Sequence, residues 1–179
     1  TLLGKSSDEV LQAMSALKKV NGRFEPMRSG SGITAIVDYA HTPDALENVI
    51  ATINDIRREG QKLIVVCGCG GDRDATKRPE MGRIASREAD IAIFTSDNPR
   101  TENPEAILDQ MEAGKWEGSR TLRISDRAQA IHTAVMLAAA GDIILVAGKG
   151  HETYQIIGTE KRHFDDREVL AEAFQIHNS

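Results

Sequence analysis

Leu63-Ile64-Val65-Val66-Cys67 is apolar at every position and runs into Gly68-Cys69-Gly70-Gly71. A short, unbroken apolar run bounded by glycine reads as a strand covered on both faces. Such strands belong to a parallel sheet with helices above and below it. Ile143-Ile144-Leu145-Val146-Ala147 repeats the pattern, and so does the run over 91–95. Between these runs lie helical patterns. Thr42-Pro43-Asp44 supplies an N-cap, a proline at the first helical position and an acid in the first turn, and Leu46, Val49, Ile50 and Ile53 then mark one face. That helix is expected to reach about residue 58, with others over 79–88, 104–113, 126–140 and 166–176. A short strand is expected over 122–124 and an edge strand over 154–157.

Towards the N-terminus, strands over 23–28 and 33–38 flank Ser29-Gly30-Ser31-Gly32 and read as a hairpin. Before them, Ser6-Ser7-Asp8-Glu9 has capping-box spacing, Val10, Met14, Leu17 and Val20 recur at helical spacing, and Asn21-Gly22 ends the pattern. The change at that point marks residues 1 to about 22 as the tail of a preceding unit and 23–179 as a domain. The expected class is α/β: a Rossmann-like, open, mostly parallel sheet with helices on both faces and an N-terminal β-hairpin.

The chain has 179 residues, enough for one domain and its own core. A net charge of −5 disfavours nucleic acid as the main partner. No apolar run approaches the roughly 20 residues that span a bilayer, and Thr1-Leu2-Leu3-Gly4 lacks the basic start of a signal peptide. Cys67 and Cys69, too few for a disulfide framework, fit a reducing cytosol, so the expectation is a cytoplasmic protein with no membrane partner. Thr1 in place of an initiator Met fits a processed end or a cut from a longer chain.

In a parallel sheet the loops that leave the strand ends share one edge, where ligands bind. Four such loops carry chemically useful residues. Asp38-Tyr39-Ala40-His41-Thr42-Pro43 places an acid, an aromatic ring and an imidazole ahead of a helix N-terminus, a position that favours anions, or merely braces the turn. Gly68-Cys69-Gly70-Gly71-Asp72-Arg73-Asp74 begins like G-x-G-x-x-G, but Arg73 stands at the last position and the dinucleotide fingerprint fails. Arg73 between two acids fits a structural ion pair or a carboxylate clamp. The two cysteines there read as small strand-end residues, since a zinc site would need a second pair. Asp97-Asn98-Pro99-Arg100 follows the strand over 91–95 and offers a guanidinium to a cleft, or is a plain proline turn with a solvated arginine. Gly148-Lys149-Gly150-His151-Glu152 offers glycines for a carboxylate and Glu152 for an ammonium group. It is no P-loop, because G-x-x-x-x-G-K-[ST] is absent. Together the edge suits a small zwitterion or a phosphorylated ligand.

These four motifs in this order, with Ala45-Leu46-Glu47 after the first and His163-Phe164-Asp165-Asp166-Arg167-Glu168 near the end, resemble the C-terminal domain of the Mur ligases, and within that family its diaminopimelate-adding branch. The resemblance implies a three-domain ligase of peptidoglycan synthesis. Its other domains hold UDP-MurNAc-L-Ala-D-Glu, ATP and most ligands of Mg2+. It further implies that ATP phosphorylates the D-glutamate side-chain carboxylate and that the amine of meso-diaminopimelate attacks the acyl phosphate. Carried over by position, Arg73, Asp97, Asn98, Pro99, Arg100, Gly148 and Glu152 are implied to bind meso-diaminopimelate, with Arg100 choosing it over lysine. Arg23 is implied to reach the ATP phosphates, and Asp38 and His41 the ribose and base region. No metal ligand and no catalytic group is assigned to this chain, which alone is expected to be inactive. The alternatives are a non-catalytic nucleotide-binding Rossmann-like module and a related ligase adding another amino acid.

Overall fold

The computed structural model describes residues 22–177. The helix expected before residue 22 lies outside them. The chain order is β1 (Glu25–Arg28), β2 (Thr34–Asp38), α1 (Pro43–Ile56), β3 (Leu63–Cys67), α2 (Lys77–Glu88), β4 (Ile91–Phe94), α3 (Pro104–Glu112), β5 (Thr121–Arg123), α4 (Arg127–Leu137), β6 (Ile143–Ala147), β7 (Tyr154–Ile157), β8 (Glu160–His163) and α5 (Asp166–His177). Six strands form one sheet in the order β1-β2-β6-β3-β4-β5. Only the β1–β2 pairing is antiparallel. The open, mostly parallel α/β sheet with an N-terminal hairpin is therefore the architecture that the apolar runs predict.

Alternation along the strands divides the interior in two. Ile36, Val65, Cys67, Phe94 and Leu145 turn to one face and pack on Leu46, Ile50 and Ile53 of α1, Met81 and Ile84 of α2, and Leu108 and Met111 of α3. Ala35, Val37, Ile64, Val66, Ile93 and Val146 turn to the other, against Ile131 and Val135 of α4 and Leu170 and Phe174 of α5. Every residue of β3 and β6 is buried, which is why those strands carry no polar position at all.

The helix starts follow their caps. Thr42 accepts from the Ala45 amide, Asn103 from Glu105 and Asp126 from Gln129. Two elements differ from the sequence reading. α4 stops at Leu137 instead of running on to 140, because Ala138 turns extended and Asp142 takes the Ala139 amide. β7 is not an edge strand of the main sheet. It pairs with β8 in a separate hairpin that touches the sheet edge through a bridge between Arg100 and Ile157.

Candidate functional site

The four loops singled out above leave β2, β6, β3 and β4, which are consecutive neighbours in the sheet. They are knitted together just beyond the strands. The Gly148 amide donates to Asp38 O at 3.0 Å, and the Gly71 amide donates to Asn98 O at 2.9 Å. The approach needs glycine: a Cβ on Gly71 would stand 1.9 Å from Pro99 O, and one on Gly148, whose φ is +117°, would stand 2.6 Å from Asp97 Oδ2.

Between the loops lies a cavity of about 540 Å³ lined by Arg73, Asp97, Asn98, Arg100, Gly148 and Glu152 among others. Six of the seven positions grouped by the sequence thus meet in one place. Pro99 is absent from the lining and works as the turn that carries its neighbours. Tyr39, His41, Lys77 and Tyr154 complete the wall. A second hollow, of about 400 Å³, lies on the far side of Tyr39 and His41 and is lined by Arg23, Phe24 and Asp38. The three residues grouped for ATP therefore also meet, in a different place, with Tyr39 and His41 as the shared partition.

Arg100 is half-buried and sits in the left-handed backbone region at φ 53°, as do Asp72 and Phe24. These are the three non-glycine residues of that kind among the described residues, and Arg100 and Phe24 each line one of the two hollows. A side chain there costs on the order of 1 kcal/mol, so the surroundings must impose it. For Arg100 the hairpin does so: its amide donates to Ile156 O at 3.0 Å and its carbonyl accepts from Gly158 at 2.7 Å. Its Nη1 donates to Gly71 O at 2.7 Å, while Nη2 and Nε have no acceptor among the described residues. Arg73 is exposed and donates to Asp72 O, forming no ion pair with the acids on either side of it.

Asp97 is buried, and burial pushes its carboxyl above the usual range despite the nearby cations of Arg127 and Lys149. Asn98 Nδ2 donates to Glu152 Oε2 at 2.9 Å. Asp38 uses one oxygen for the Phe24 amide, at 2.7 Å, and the other for Ala40, at 2.8 Å, so it ties the chain entering β1 to the end of β2 whatever else it does. His41 Nδ1 lies 2.8 Å from Tyr39 O. A carbonyl can only accept, so Nδ1 carries the proton and a neutral ring keeps Nε2 as an acceptor. Burial raises both thiols, that of Cys69 to about 12, which makes them packing residues. Among the described residues no group of three or more His, Cys, Asp or Glu could hold a metal ion. The Mg2+ implied by the resemblance has no ligand set there.

Three buried cations escaped the sequence reading. Arg78 grips both oxygens of Glu102 at 2.8 Å and also Gly70 O, and Glu102 in turn takes the Asp72 amide. Arg127 holds both oxygens of Asp166, at 2.7 and 2.8 Å, through Nε and Nη2; Nη2 also donates to Ala147 O at the end of β6, and Nη1 to Ser96 O just past β4. Lys149 is fully buried beneath the cavity. Positions 78, 81, 82 and 85, and likewise 127, 130, 131 and 134, form one helical stripe each, so an arginine inside a buried stripe was the available signal.

A doubly wound sheet with a polar cleft across its carboxyl edge defines a ligand-binding α/β domain. Residues 22–150 match the family described as Mur ligase, glutamate ligase domain, and the chain belongs to that family. It is 54% identical over 177 residues to the UDP-N-acetylmuramoyl-L-alanyl-D-glutamate–2,6-diaminopimelate ligase of Bacteroides fragilis, covering 98% of this chain and 36% of that protein. The ligase of the same name from Geobacillus kaustophilus is 50% identical over 171 residues, covering 95% and 35%. Among solved structures, a ligase of that name superposes with a TM-score of 0.82 at 42% identity, over 92% of this chain and 33% of the other. A folylpolyglutamate synthase from Thermotoga maritima, at 24% identity and a TM-score of 0.55 over 73% of this chain and 28% of its own, shares the fold. The chain thus spans about a third of the length of the curated relatives it matches. Among the described residues no helix is long and apolar enough to cross a membrane.

Proposed function

We propose that this chain is the amino-acid-binding part of a longer cytoplasmic ligase that joins meso-diaminopimelate to UDP-MurNAc-L-Ala-D-Glu with ATP. Residues 1 to about 22 would then end a preceding ATPase domain and 23–179 would form the domain that closes over it. The observation that carries the reading is the cleft itself. It presents at Arg100 a guanidinium with two nitrogens that have no acceptor among the described residues, and in the same lining two acids, Asp97 and Glu152, that keep acceptor capacity. Diaminopimelate brings matching groups, carboxylates and ammoniums at both ends.

Arg100 would take the distal carboxylate, the group that lysine lacks, through its free nitrogens. Glu152 and Asp97 would accept from an ammonium group, and the Gly148 region would admit the ligand close to the backbone. The second hollow, with Arg23 and the His41 ring, would meet ATP on closure. The shared wall of Tyr39 and His41 would then bring the incoming amine near the phosphorylated D-glutamate carboxylate. Attack by the amine forms a C–N bond, and collapse of the tetrahedral intermediate expels phosphate. Closure excludes the water that would otherwise hydrolyse the acyl phosphate. Mg2+ would be held by the remainder of the protein.

Calorimetric titration with meso-diaminopimelate and with L-lysine tests the reading. A hydrogen bond to a charged group contributes about 1.5–3 kcal/mol, so the chain is expected to prefer diaminopimelate by roughly tenfold to hundredfold. Arg100→Ala is expected to erase the preference without lowering Tm. Equal affinity for the two amino acids, or an unchanged preference in Arg100→Ala, sinks it.

A further inference from the structure

Lys149 has no exposed surface and does not line the cavity, yet it touches three of the residues that do. Its Nζ lies 3.1 Å from Asn98 Oδ1, 3.4 Å from Glu152 Oε2 and 3.8 Å from Asp97 Oδ1, with the Tyr154 ring 5.6 Å away. Asn98 Oδ1 also accepts the Ile156 amide at 2.9 Å. An ammonium and a backbone amide can only donate, so the Asn98 side chain cannot be turned over. Its Nδ2 is thereby committed to Glu152 Oε2, at 2.9 Å. The same oxygen faces Lys149. Glu152 Oε1 makes no hydrogen bond among the described residues.

We propose that Lys149 is a positioning residue for amino-acid recognition: from beneath the cleft it fixes the Asn98 amide and holds Glu152 by one oxygen, leaving the other oxygen to receive a ligand ammonium group. The proposal rests on the reading of the cleft as an amino-acid site. Its chemistry extends to charge. Asp97 and Glu152 share one wall, and two carboxylates that close repel each other unless a cation stands between them. Lys149 is that cation. Arg127, which also faces Asp97, already holds both oxygens of Asp166. Burial lowers the affinity of Lys149 for its proton, and Asp97 with Glu152 counters this. The groups facing Asp97 include Lys149, Arg127, Glu152, Asp166, Tyr39 and Cys69, with Gln155 donating to its carbonyl at 2.8 Å.

The test uses the whole chain, wild type beside Lys149→Gln and Lys149→Arg, with two readouts. The first, carboxyl-carbon NMR without ligand, follows the titration of Asp97. Loss of a cation at this distance is expected to move it up by about 1–3 pH units in Lys149→Gln, and much less in Lys149→Arg. The second, calorimetry with meso-diaminopimelate, is expected to show affinity lower by roughly tenfold to hundredfold in Lys149→Gln, with part of it regained in Lys149→Arg. In the wild type, the Lys149 ammonium protons are expected to exchange slowly enough to be seen by NMR, a measurement that needs no variant to fold. An unmoved Asp97 titration, equal diaminopimelate affinity in Lys149→Gln, or a rapidly exchanging Lys149 ammonium overturns the proposal. If the wild-type chain itself binds no diaminopimelate, the reading of the cleft fails and the proposal with it, whatever the Asp97 titration does.

Discussion

The two edges of the central sheet carry similar residues and use them in opposite ways. At the amino edge, Asp142 takes the Lys62 amide with one oxygen and the Ala139 amide with the other, at 2.8 and 2.9 Å. Asp90 takes the Leu63 amide at 2.7 Å and pairs with Arg57. Burial pushes the Asp90 carboxyl up, but the Leu63 amide and Arg57 outweigh it and hold the group below its ordinary range. At the carboxyl edge, Asp97 is buried, accepts no hydrogen bond from its side chain among the described residues, and is shifted the other way. Among the described residues Glu152 keeps one oxygen without a partner, and Arg100 two nitrogens. Acids that close turns are satisfied within the chain, whereas acids that face the cleft keep unmet capacity. That contrast, more than the presence of charge, distinguishes a binding edge from a scaffolding edge.

The contrast holds only if the unsatisfied edge is braced from below, and the largest expected effect tests this. Arg127→Met leaves Asp166 charged and without exposed surface, which is expected to cost about 3–5 kcal/mol in urea unfolding. It is also expected to loosen the ends of β4 and β6, read as faster amide exchange at Ser96 and Ala147. A loss below 1 kcal/mol would show that the network under the cleft is dispensable. Asp142→Ala at the opposite edge is expected to cost about 1.5–3 kcal/mol and to leave diaminopimelate affinity unchanged. A change in that affinity would erase the division between the edges.

The smallest effect concerns pH. Arg78 and the Asp72 amide hold Glu102 at about 2, below its ordinary 4.5. A depressed carboxyl stabilises the fold above its ordinary value and loses that contribution as the pH falls towards 2. Wild-type Tm is therefore expected to fall over that window more steeply than Glu102→Gln, which starts lower at pH 7. The two curves should meet near pH 2, and parallel curves would refute the assignment.

Much of the fold was legible because burial on both faces leaves its mark on sequence. Leu63–Cys67 and Ile143–Ala147 carry no polar residue, and their limits match the strands. The cap at Thr42 was equally plain, whereas Asp126, read as the first helical residue, is the cap of α4. β8 was invisible: Glu160–His163 is exposed at all four positions and shows no alternation, so only its pairing with β7 makes it a strand. The cleft was legible as a set of loops, since strand ends must share an edge. What supports it was not. Lys149 sits between two glycines, and nothing in Gly148-Lys149-Gly150 tells a buried ammonium from a solvated one. Only the approach of Asn98 and Glu152, remote in sequence from each other, decides that.

The place of β6 bears on how the chain reaches this structure. β6 is the last strand of the main sheet in sequence, yet it lies between β2 and β3, pairing Val37 with Val146 on one side and Val65 with Leu145 on the other. Until residues 143–147 are available, the N-terminal hairpin has no neighbour in the sheet and β3 has one bare side. During synthesis the two halves must wait as separate pieces with unpaired edges, and contacts of such long sequence separation make closure slow. The candidate cleft therefore comes into being in one step, when the final strand drives home between its neighbours and brings Gly148, Lys149 and Glu152 with it.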